Sequence, residues 1–217
     1  MEAQELKYLQ SIFTPKQDFV VLEIGGYDFS DTVQIRSLFP VAKIYSLEAY
    51  RENINLYANR AHQHRITWDW YAASDHTGTI HFYPSVSYGQ NGTWTGSGSI
   101  ILPEIHPDTD ISTVYPDLKF DLNGAEVPCI TIDDYCEMKE IKHVDWLRID
   151  AQGAEYKILS ALEKSTPTFI WAEHCEFATY QTGVTIQDFD DMLAEKGYAI
   201  VERMGSDTLY KNSKYGI

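Results

Sequence analysis

The sequence predicts an α/β fold, a Rossmann-like, doubly wound and mostly parallel sheet of seven strands with one antiparallel strand. The first observation is the alternation of short apolar runs with helical patterns, an order typical of parallel sheets. The second is the pair Gly25-Gly26 directly after the first apolar run. The third is a closing segment, 198–210, whose pattern indicates a β-hairpin. Together they indicate a single domain over residues 1–217.

The amino-terminal half supplies the predicted first helix and the first strands. Within the segment 1–15, residues 2–13 form an amphipathic pattern with Leu6, Leu9 and Phe13 at helical spacing. Short apolar runs predict strands at residues 19–24, 43–48 and 66–73. Helical patterns between them cover residues 31–39 and 51–64, and Ser30 is the expected cap of the first.

A long connection, residues 84–126, interrupts this rhythm after a strand-like run at 79–83. It is rich in Gly, Ser, Pro, Asn and Asp, and connections of this length in compact domains are usually functional or disordered. We therefore expect it to act as a lid or substrate loop.

Regular patterns resume near Val127. They predict strands at 145–150 and 168–173, a helix at 155–162, and a helix that begins at Thr185 and ends before Gly197. Asp188, three residues after Thr185, forms a variant of the capping box.

The charge and composition of the sequence restrict the classes of binding partner that we expect. The formal net charge is −15, from 32 acidic and 17 basic residues, and the chain has no run of Lys or Arg. Such a surface repels nucleic acid and anionic membranes, so neither is an expected partner. The first residues lack a signal-peptide pattern, and the three cysteines lack metal-ligand spacing, so a cytoplasmic location is expected. The oligomeric state stays open.

The turn after the first strand, Glu23 to Asp28, lies where doubly wound folds bind nucleotides. The G-x-G-x-x-G fingerprint is absent, because Tyr27 and Phe29 stand where further glycines would help to admit a pyrophosphate. Glu48 follows Gly25 by 23 residues. That is close to the separation at which an acidic residue binds ribose hydroxyls. An adenosine cofactor is therefore expected, and a cofactor without phosphates, such as S-adenosylmethionine, suits the turn better than a nicotinamide dinucleotide.

Several segments resemble the FkbM-type methyltransferase family, over most of residues 18–212. They are Val21-Leu22-Glu23-Ile24-Gly25-Gly26, Tyr45-Ser46-Leu47-Glu48, Ala72-Ala73-Ser74-Asp75 with Gly78, and, most specifically, Thr131-Ile132-Asp133-Asp134-Tyr135 followed by residues 144–155. The sequence departs from the family pattern in the first turn, with Tyr27-Asp28-Phe29. It also departs at Ala49, Arg148 and Gln152, where the family commonly has proline, lysine and glutamate, respectively.

The resemblance implies a class I methyltransferase that binds S-adenosylmethionine and methylates a hydroxyl of a small molecule, such as a sugar or natural-product precursor. By the resemblance, Glu23, Gly25 and Gly26 hold the methionine portion, Glu48 holds the ribose, and the turn at Ala72 to Asp75 borders the adenine. The expected cofactor-binding residues are thus Glu23, Gly25, Gly26, Tyr27, Glu48, Ala49, Ala72, Ala73 and Asp150.

Three residues at predicted strand ends are candidates for catalysis. Asp150 ends the fourth predicted strand of the sheet and is expected to face the methyl group, whereas Glu173 and His174 end the fifth. His174 is the preferred general base, because an unperturbed histidine titrates near neutral pH. The alternatives are a helix cap for Asp150 and a backbone-bonded strand end for His174. A divalent metal held by Asp150, Glu173 and His174 is less favoured, since no local ligand motif supports it.

Substrate contacts are expected from the long connection and from His174. Trp94 or Tyr88 could stack on a sugar face, and Ser99 and Tyr115 also lie in the connection. The alternative is that these aromatic residues anchor the connection to the core. Two other functions remain as alternatives: a methyltransferase-fold binding protein without activity, and a nicotinamide-dependent oxidoreductase.

Overall fold

The computed structural model describes residues 3–89, 92–103, 118–174 and 183–215. The described helices are α1 (Ala3–Ile12), α2 (Ser30–Leu38), α3 (Arg51–Gln63), α4 (Ile132–Met138), α5 (Glu155–Ser160) and α6 (Ile186–Glu195). The described strands are β1 (Val20–Ile24), β2 (Lys43–Glu48), β3 (Thr67–Trp70), β4 (Ala72–Ala73), β5 (Gly78–Phe82), β6 (Ser87–Gly89), β7 (Gly92–Trp94), β8 (Ala125–Ile130), β9 (Trp146–Ile149), β10 (Phe169–Glu173), β11 (Tyr198–Met204) and β12 (Asp207–Asn212).

The main sheet has seven strands in the order β11-β12-β10-β9-β1-β2-β3. Strand β12 is antiparallel to both of its neighbours, and the other pairs are parallel. This arrangement confirms the predicted doubly wound sheet with one antiparallel strand. Because parallel strands share their direction, the carboxyl ends of β2, β1, β9 and β10 meet at one edge of the sheet, where such folds bind their ligands.

Each face of the sheet carries its own core, since successive side chains of a strand point to opposite faces. On one face Leu147 and Ile149 pack with Phe189 of α6. On the other, Trp146 packs with Leu9 of α1. Helices therefore cover both faces, as the alternating pattern predicts.

The predicted strand at 66–73 is divided in the structure. Strand β3 pairs with β2 in the main sheet, whereas Ala72 and Ala73 form β4 in a three-stranded sheet of order β4-β8-β5. Strand β8 pairs with β4 through Ala72 and Cys129. The pattern of a local apolar run contains no information about a pairing partner so distant in the sequence. The division of the strand could therefore not be predicted from that run.

The prediction that Ser30 caps α2 is wrong by one residue, since the cap position is Phe29. Ser30 is the first residue of α2, and the residue before it, Phe29, has a left-handed backbone with φ 60°. The carboxylate of Asp28 accepts the Ser30 backbone N–H at 2.9 Å. At α6, by contrast, the predicted capping box is present, with Thr185 and Asp188 bonded reciprocally.

Helix α4 and the hairpin β6–β7 were not predicted. The side chain of Thr131 caps α4 by accepting the backbone N–H of Asp134 at 3.0 Å. Within the described part of the chain, no helix is both long and apolar enough to cross a membrane.

Candidate functional site

The glycine turn joins the ends of three strands. The backbone N–H groups of Gly25 and Gly26 both donate to the Leu47 carbonyl of β2 at 3.0 Å. Gly25 has φ +88°, and a Cβ atom there would lie 2.0 Å from the carbonyl oxygen of Asp150, after β9. A Cβ on Gly26 would lie 2.4 Å from Ser46 Oγ. The close approach of the strand ends therefore requires glycine at both positions.

Glu48 ends β2 with a buried carboxylate that binds several donors. Its Oε2 accepts the backbone N–H of Tyr27 at 2.7 Å. Its Oε1 accepts the backbone N–H of Tyr50 at 2.7 Å and Asn53 Nδ2 at 3.1 Å. Burial raises the pKa of Glu48 to about 7, against the opposing effect of these hydrogen bonds. Since a carboxylate offers about four acceptor positions, one on Oε2 remains for a further hydroxyl.

Part of the long connection lies over this turn. The Trp94 and Tyr27 rings have centroids 5.0 Å apart. Thr95 Oγ1 donates to Asn53 Oδ1 at 2.6 Å, and Asn53 Nδ2 donates in return to the Thr95 carbonyl at 3.3 Å. Trp94 is still 48% exposed, so its ring also offers a face to a ligand.

Glu23 is buried beneath the turn and is not exposed at its surface. Its carboxylate is 1% exposed and accepts Ser46 Oγ at 2.5 Å. Burial raises the pKa of Glu23 to about 8. The structure thus places this residue as a support of the turn, and direct contact between its carboxylate and a methionine group is not favoured.

The guanidinium of Arg148 lies among four carboxylates under the same strand ends. Their oxygens are 2.7 Å away for Asp31, 3.3 Å for Glu5, and 3.9 Å for both Glu23 and Asp150. Glu5 of α1 is fully buried and also accepts Trp146 Nε1 at 3.1 Å. Sequence reasoning missed this network, because the distance along the chain between α1 and β9 hides it from any local pattern.

Asp150 and Glu173 come together at the ends of the neighbouring strands β9 and β10. The amide nitrogen of Gln152 lies within hydrogen-bond distance of both, 2.7 Å from Asp150 Oδ1 and 3.3 Å from Glu173 Oε2. Burial, and after it the charge of Asp150, raise the pKa of Glu173 well above its ordinary value. The Glu173 carboxyl therefore keeps its proton more readily than an exposed glutamate does, since burial and a neighbouring carboxylate both disfavour its charged form.

The Asp150–Glu173 pair borders a cleft of about 270 Å³. Other residues that line this cleft are Arg148, Ile149, Trp171, Ser206 and Asp207. The cleft lies at the ends of β9 and β10, beside Ser206 and Asp207 at the start of β12. Its walls are acidic and polar, with the Trp171 ring as an apolar element.

His174 lies on the opposite face of the sheet from the Asp150–Glu173 pair. Its ring packs edge-on against Phe189 of α6, with centroids 4.4 Å apart, and Nε2 lies 3.1 Å from the Tyr210 hydroxyl. That hydroxyl donates its single proton to Asp190, so Nε2–H of His174 must be the donor to Tyr210. Burial lowers the pKa of His174 to about 4. The structure therefore does not bring His174 to the predicted reaction centre.

The remaining candidates lie beside the turn or below the surface. Ala72 and Ala73 are buried in β4, and Ala49 packs against the cluster that contains Ala72. Ser99 is 1% exposed, and its hydroxyl accepts the Ile101 backbone N–H at 3.0 Å, which indicates a structural role. Tyr115 lies outside the described residues. No group of three or more metal-binding side chains occurs among the residues that the structure describes.

Comparison with known proteins identifies the family. Residues 20–200 match the family model of the methyltransferase FkbM domain. The chain belongs to the FkbM methyltransferase family. This assignment confirms the resemblance seen in the sequence motifs and the predicted enzyme class, a methyltransferase. It sets aside the alternative of a nicotinamide-dependent oxidoreductase.

Individual relatives agree with the family. The chain is 29% identical over 206 residues to the 2-O-methyltransferase NoeI of Sinorhizobium fredii, an alignment that covers 92% of this chain and 82% of the relative. A crystal structure of methyltransferase FkbM from Methylobacillus flagellatus superposes with a TM-score of 0.54 at 12% identity. That match covers 92% of this chain but 44% of the larger protein, so this FkbM protein spans less than half of that relative. The Methanococcus jannaschii fibrillarin pre-rRNA processing protein superposes at 0.51, with 11% identity and coverage of 92% and 67%. These structures support the fold alone.

Proposed function

We propose that this FkbM-family protein is an S-adenosylmethionine-dependent O-methyltransferase that acts on a hydroxyl group of a sugar or a similar polyhydroxylated small molecule. The observation that carries the proposal is the pair of carboxyl groups Asp150 and Glu173, which borders a cleft, while the backbone of Asp150 lies against Gly25 of the glycine turn. The relative named as a 2-O-methyltransferase supports oxygen as the acceptor atom.

The groups around the turn fit S-adenosylmethionine. Glu48 has an acceptor position left for a ribose hydroxyl, and the half-buried Ala49, which packs against the cluster of Ala72, suits an adenine edge. The acidic residues Asp150 and Glu173 suit the positive charge of the sulfonium. When bound, this cofactor supplies an activated methyl group.

The chain's own residues then orient the acceptor and receive its proton. We assign Asp150 as the group that accepts the proton of the attacking hydroxyl, because it faces the cleft and lies against Gly25. Burial and the charge of Asp150 raise the pKa of Glu173, so Glu173 is the member of the pair that keeps its proton more readily. Proton acceptance by a positioned base contributes typically about a hundredfold to ten-thousandfold in rate. The walls of the cleft contribute by orientation and by exclusion of water.

The walls of the cleft also indicate the class of acceptor. Asp207, Glu173 and Ser206 offer hydrogen-bond partners for several hydroxyls, whereas their charge opposes an anionic acceptor. Trp94 supplies an exposed ring next to the turn, on which a sugar face could stack. A neutral polyhydroxylated molecule fits these groups better than a phosphate ester or a nucleic acid.

The proposal is tested by calorimetric titration with S-adenosylmethionine and S-adenosylhomocysteine. We expect micromolar binding that Glu48→Ala weakens at least tenfold, because the ribose loses its acceptor. Glu52→Ala, an exposed residue on the neighbouring α3, is the matched control and should bind normally. Failure of the wild-type protein to bind either ligand would contradict the cofactor assignment.

A screen with methyl-labelled cofactor then tests the acceptor, starting with neutral sugars and their deoxy analogues. Transfer that disappears when one hydroxyl is removed would support O-methylation. Tight cofactor binding without transfer to any acceptor would favour the alternative, a binding protein that retains the fold but not the chemistry.

A further inference from the structure

Gln152 occupies an unusual backbone position in the loop that follows β9. It has φ 54°, and the next residue, Gly153, has φ 91°. A residue other than glycine in the left-handed region is uncommon, and such residues cluster at functional sites, where the surrounding structure holds them. The loop thus turns sharply between the end of β9 and α5.

This turn directs the side chain of Gln152 at the carboxyl pair. Its Nε2 donates to Asp150 Oδ1 at 2.7 Å and to Glu173 Oε2 at 3.3 Å. An amide nitrogen carries two donor hydrogens, and both neighbours are carboxyl groups, so its orientation follows from the contacts. One side chain therefore binds both members of the pair.

Several charged groups surround the pair. Glu155 of α5 and Asp207 of β12 add negative charge near Glu173. Arg148 faces the pair from β9, but its nearest partners are Asp31 at 2.7 Å and Glu5 at 3.3 Å, with Asp150 at 3.9 Å. The neutral amide of Gln152 thus supplies donors to the pair without a change of charge.

We propose that Gln152 is a positioning residue, whose amide binds the carboxyl groups of Asp150 and Glu173 together and so fixes their relative position at the edge of the cleft. The role of this pair in methyl transfer rests on the proposed function. The bridge itself does not, and it can be tested without turnover.

Three substitutions separate the roles of the amide. Gln152→Met keeps the length of the side chain without donors. Gln152→Glu places a third carboxylate against the other two. Gln152→Gly removes the side chain and suits φ 54°, so it should fold even if the methionine variant does not. Gln187→Met is the matched control, because Gln187 is exposed on α6 and bonds Asp191 instead.

The first measurement is a carbon-13 NMR titration of labelled side-chain carboxyl groups, with Glu173 assigned through Glu173→Gln. Because the amide donors favour the ionised form, we expect Gln152→Met and Gln152→Gly to raise the titration midpoint of Glu173 by at least one pH unit. We expect a larger rise in Gln152→Glu and no change in Gln187→Met. An unchanged midpoint in a folded Gln152→Met or Gln152→Gly variant would overturn the proposal.

The second measurement is the pH–rate profile of methyl transfer. We expect Gln152→Met to lower kcat at least tenfold at neutral pH and to move the acid limb of the profile upward, with KM for S-adenosylmethionine within twofold. A purely structural role would change the melting temperature without moving the limb, and would count against the proposal. Shifted NMR titrations in a protein that methylates nothing would support the bridge and refute the proposed function instead.

Discussion

Gly25 and Asp150 approach each other so closely that a Cβ atom at position 25 would lie 2.0 Å from the Asp150 carbonyl oxygen. This contact joins the turn proposed to bind the cofactor to the residue proposed to receive the proton. Because it involves only main-chain atoms, any side chain at position 25 would push the two apart. The distance between the turn proposed to bind the cofactor and the proposed base is therefore set by the backbone of two neighbouring strands.

We expect Gly25→Ala to destabilise the protein and to abolish binding of S-adenosylmethionine. Gly197→Ala is a matched control, because Gly197 also has φ +88° but has nothing within 4 Å of its Cβ position. The control should lose about 1–2 kcal/mol from left-handed strain alone. Urea unfolding should show a clearly larger loss for Gly25→Ala, since it adds a backbone clash. Equal losses would contradict this account of the turn.

We expect the stability of the ligand-free protein to fall as the pH rises from 6.5 to 8.5. The buried Glu23 has its pKa raised from 4.5 to about 8, so the folded state retains a proton that the unfolded state has lost. Stability from such a group is fully present below pH 4.5 and is lost as the pH rises through 8, by at most about 1.4 kcal/mol per pH unit. Glu23→Gln should flatten this dependence in thermal melts, whereas the exposed Glu52→Gln should not. An equally steep decline in Glu23→Gln would refute the assignment.

Below pH 6.5 we expect an opposite effect from His174. Its pKa is lowered by burial from 6.5 to about 4, so the unfolded state binds a proton that the folded state does not. This contribution is present above pH 6.5 and is lost as the pH falls toward 4. The melting temperature of His174→Phe should therefore vary less between pH 6.5 and 4.5 than that of the wild-type protein. A variant that keeps the full acid sensitivity would show that other groups cause it.

We expect Arg148→Met to cost about 3–5 kcal/mol in the free energy of unfolding, because it leaves buried carboxylates without their cation. Arg148→Met combined with Glu5→Gln should be less damaging than the sum of the single changes. Lys43→Met is the control, since Lys43 and Asp18 form an exposed pair, 59% and 63% accessible, and such pairs contribute about 1 kcal/mol or less. Denaturant titration of the wild-type protein, the two single variants, the double variant and Lys43→Met measures these losses. Additive losses would show that Arg148 and Glu5 do not act together.

Asp150 is the proposed acceptor of the substrate proton. Asp150→Asn should lower kcat by about a hundredfold to ten-thousandfold while cofactor binding is retained, because the variant cannot accept the proton. His174→Phe should lower kcat by less than tenfold, because His174 packs on the other face with α6. Calorimetric binding and turnover, measured on both variants, would show which of the two residues acts as the base. If His174→Phe lowered kcat as much as Asp150→Asn without a change in stability, His174 would be the base instead.

Local patterns alone predicted most of the fold. Strand β2 has the predicted bounds, and the capping box at Thr185 is present as expected. The glycine turn at Gly25 and the acid at Glu48 also stand at strand ends, as their spacing indicated. These features could be read from the sequence because each depends on a few neighbouring residues and on the periods of helix and strand.

Only the tertiary structure decided which side chains meet. Glu173 and His174 are neighbours in the sequence but lie on opposite faces, and the pairing of β10 with β9 brings Glu173, not His174, to Asp150. Likewise, the packing of α1 under the sheet brings Glu5 to Arg148. The sequence by itself determined the family motifs, the sheet and the edge at which its strands end. The site depends on contacts between residues far apart in the chain, and their energies are set by burial and charge that no local pattern records.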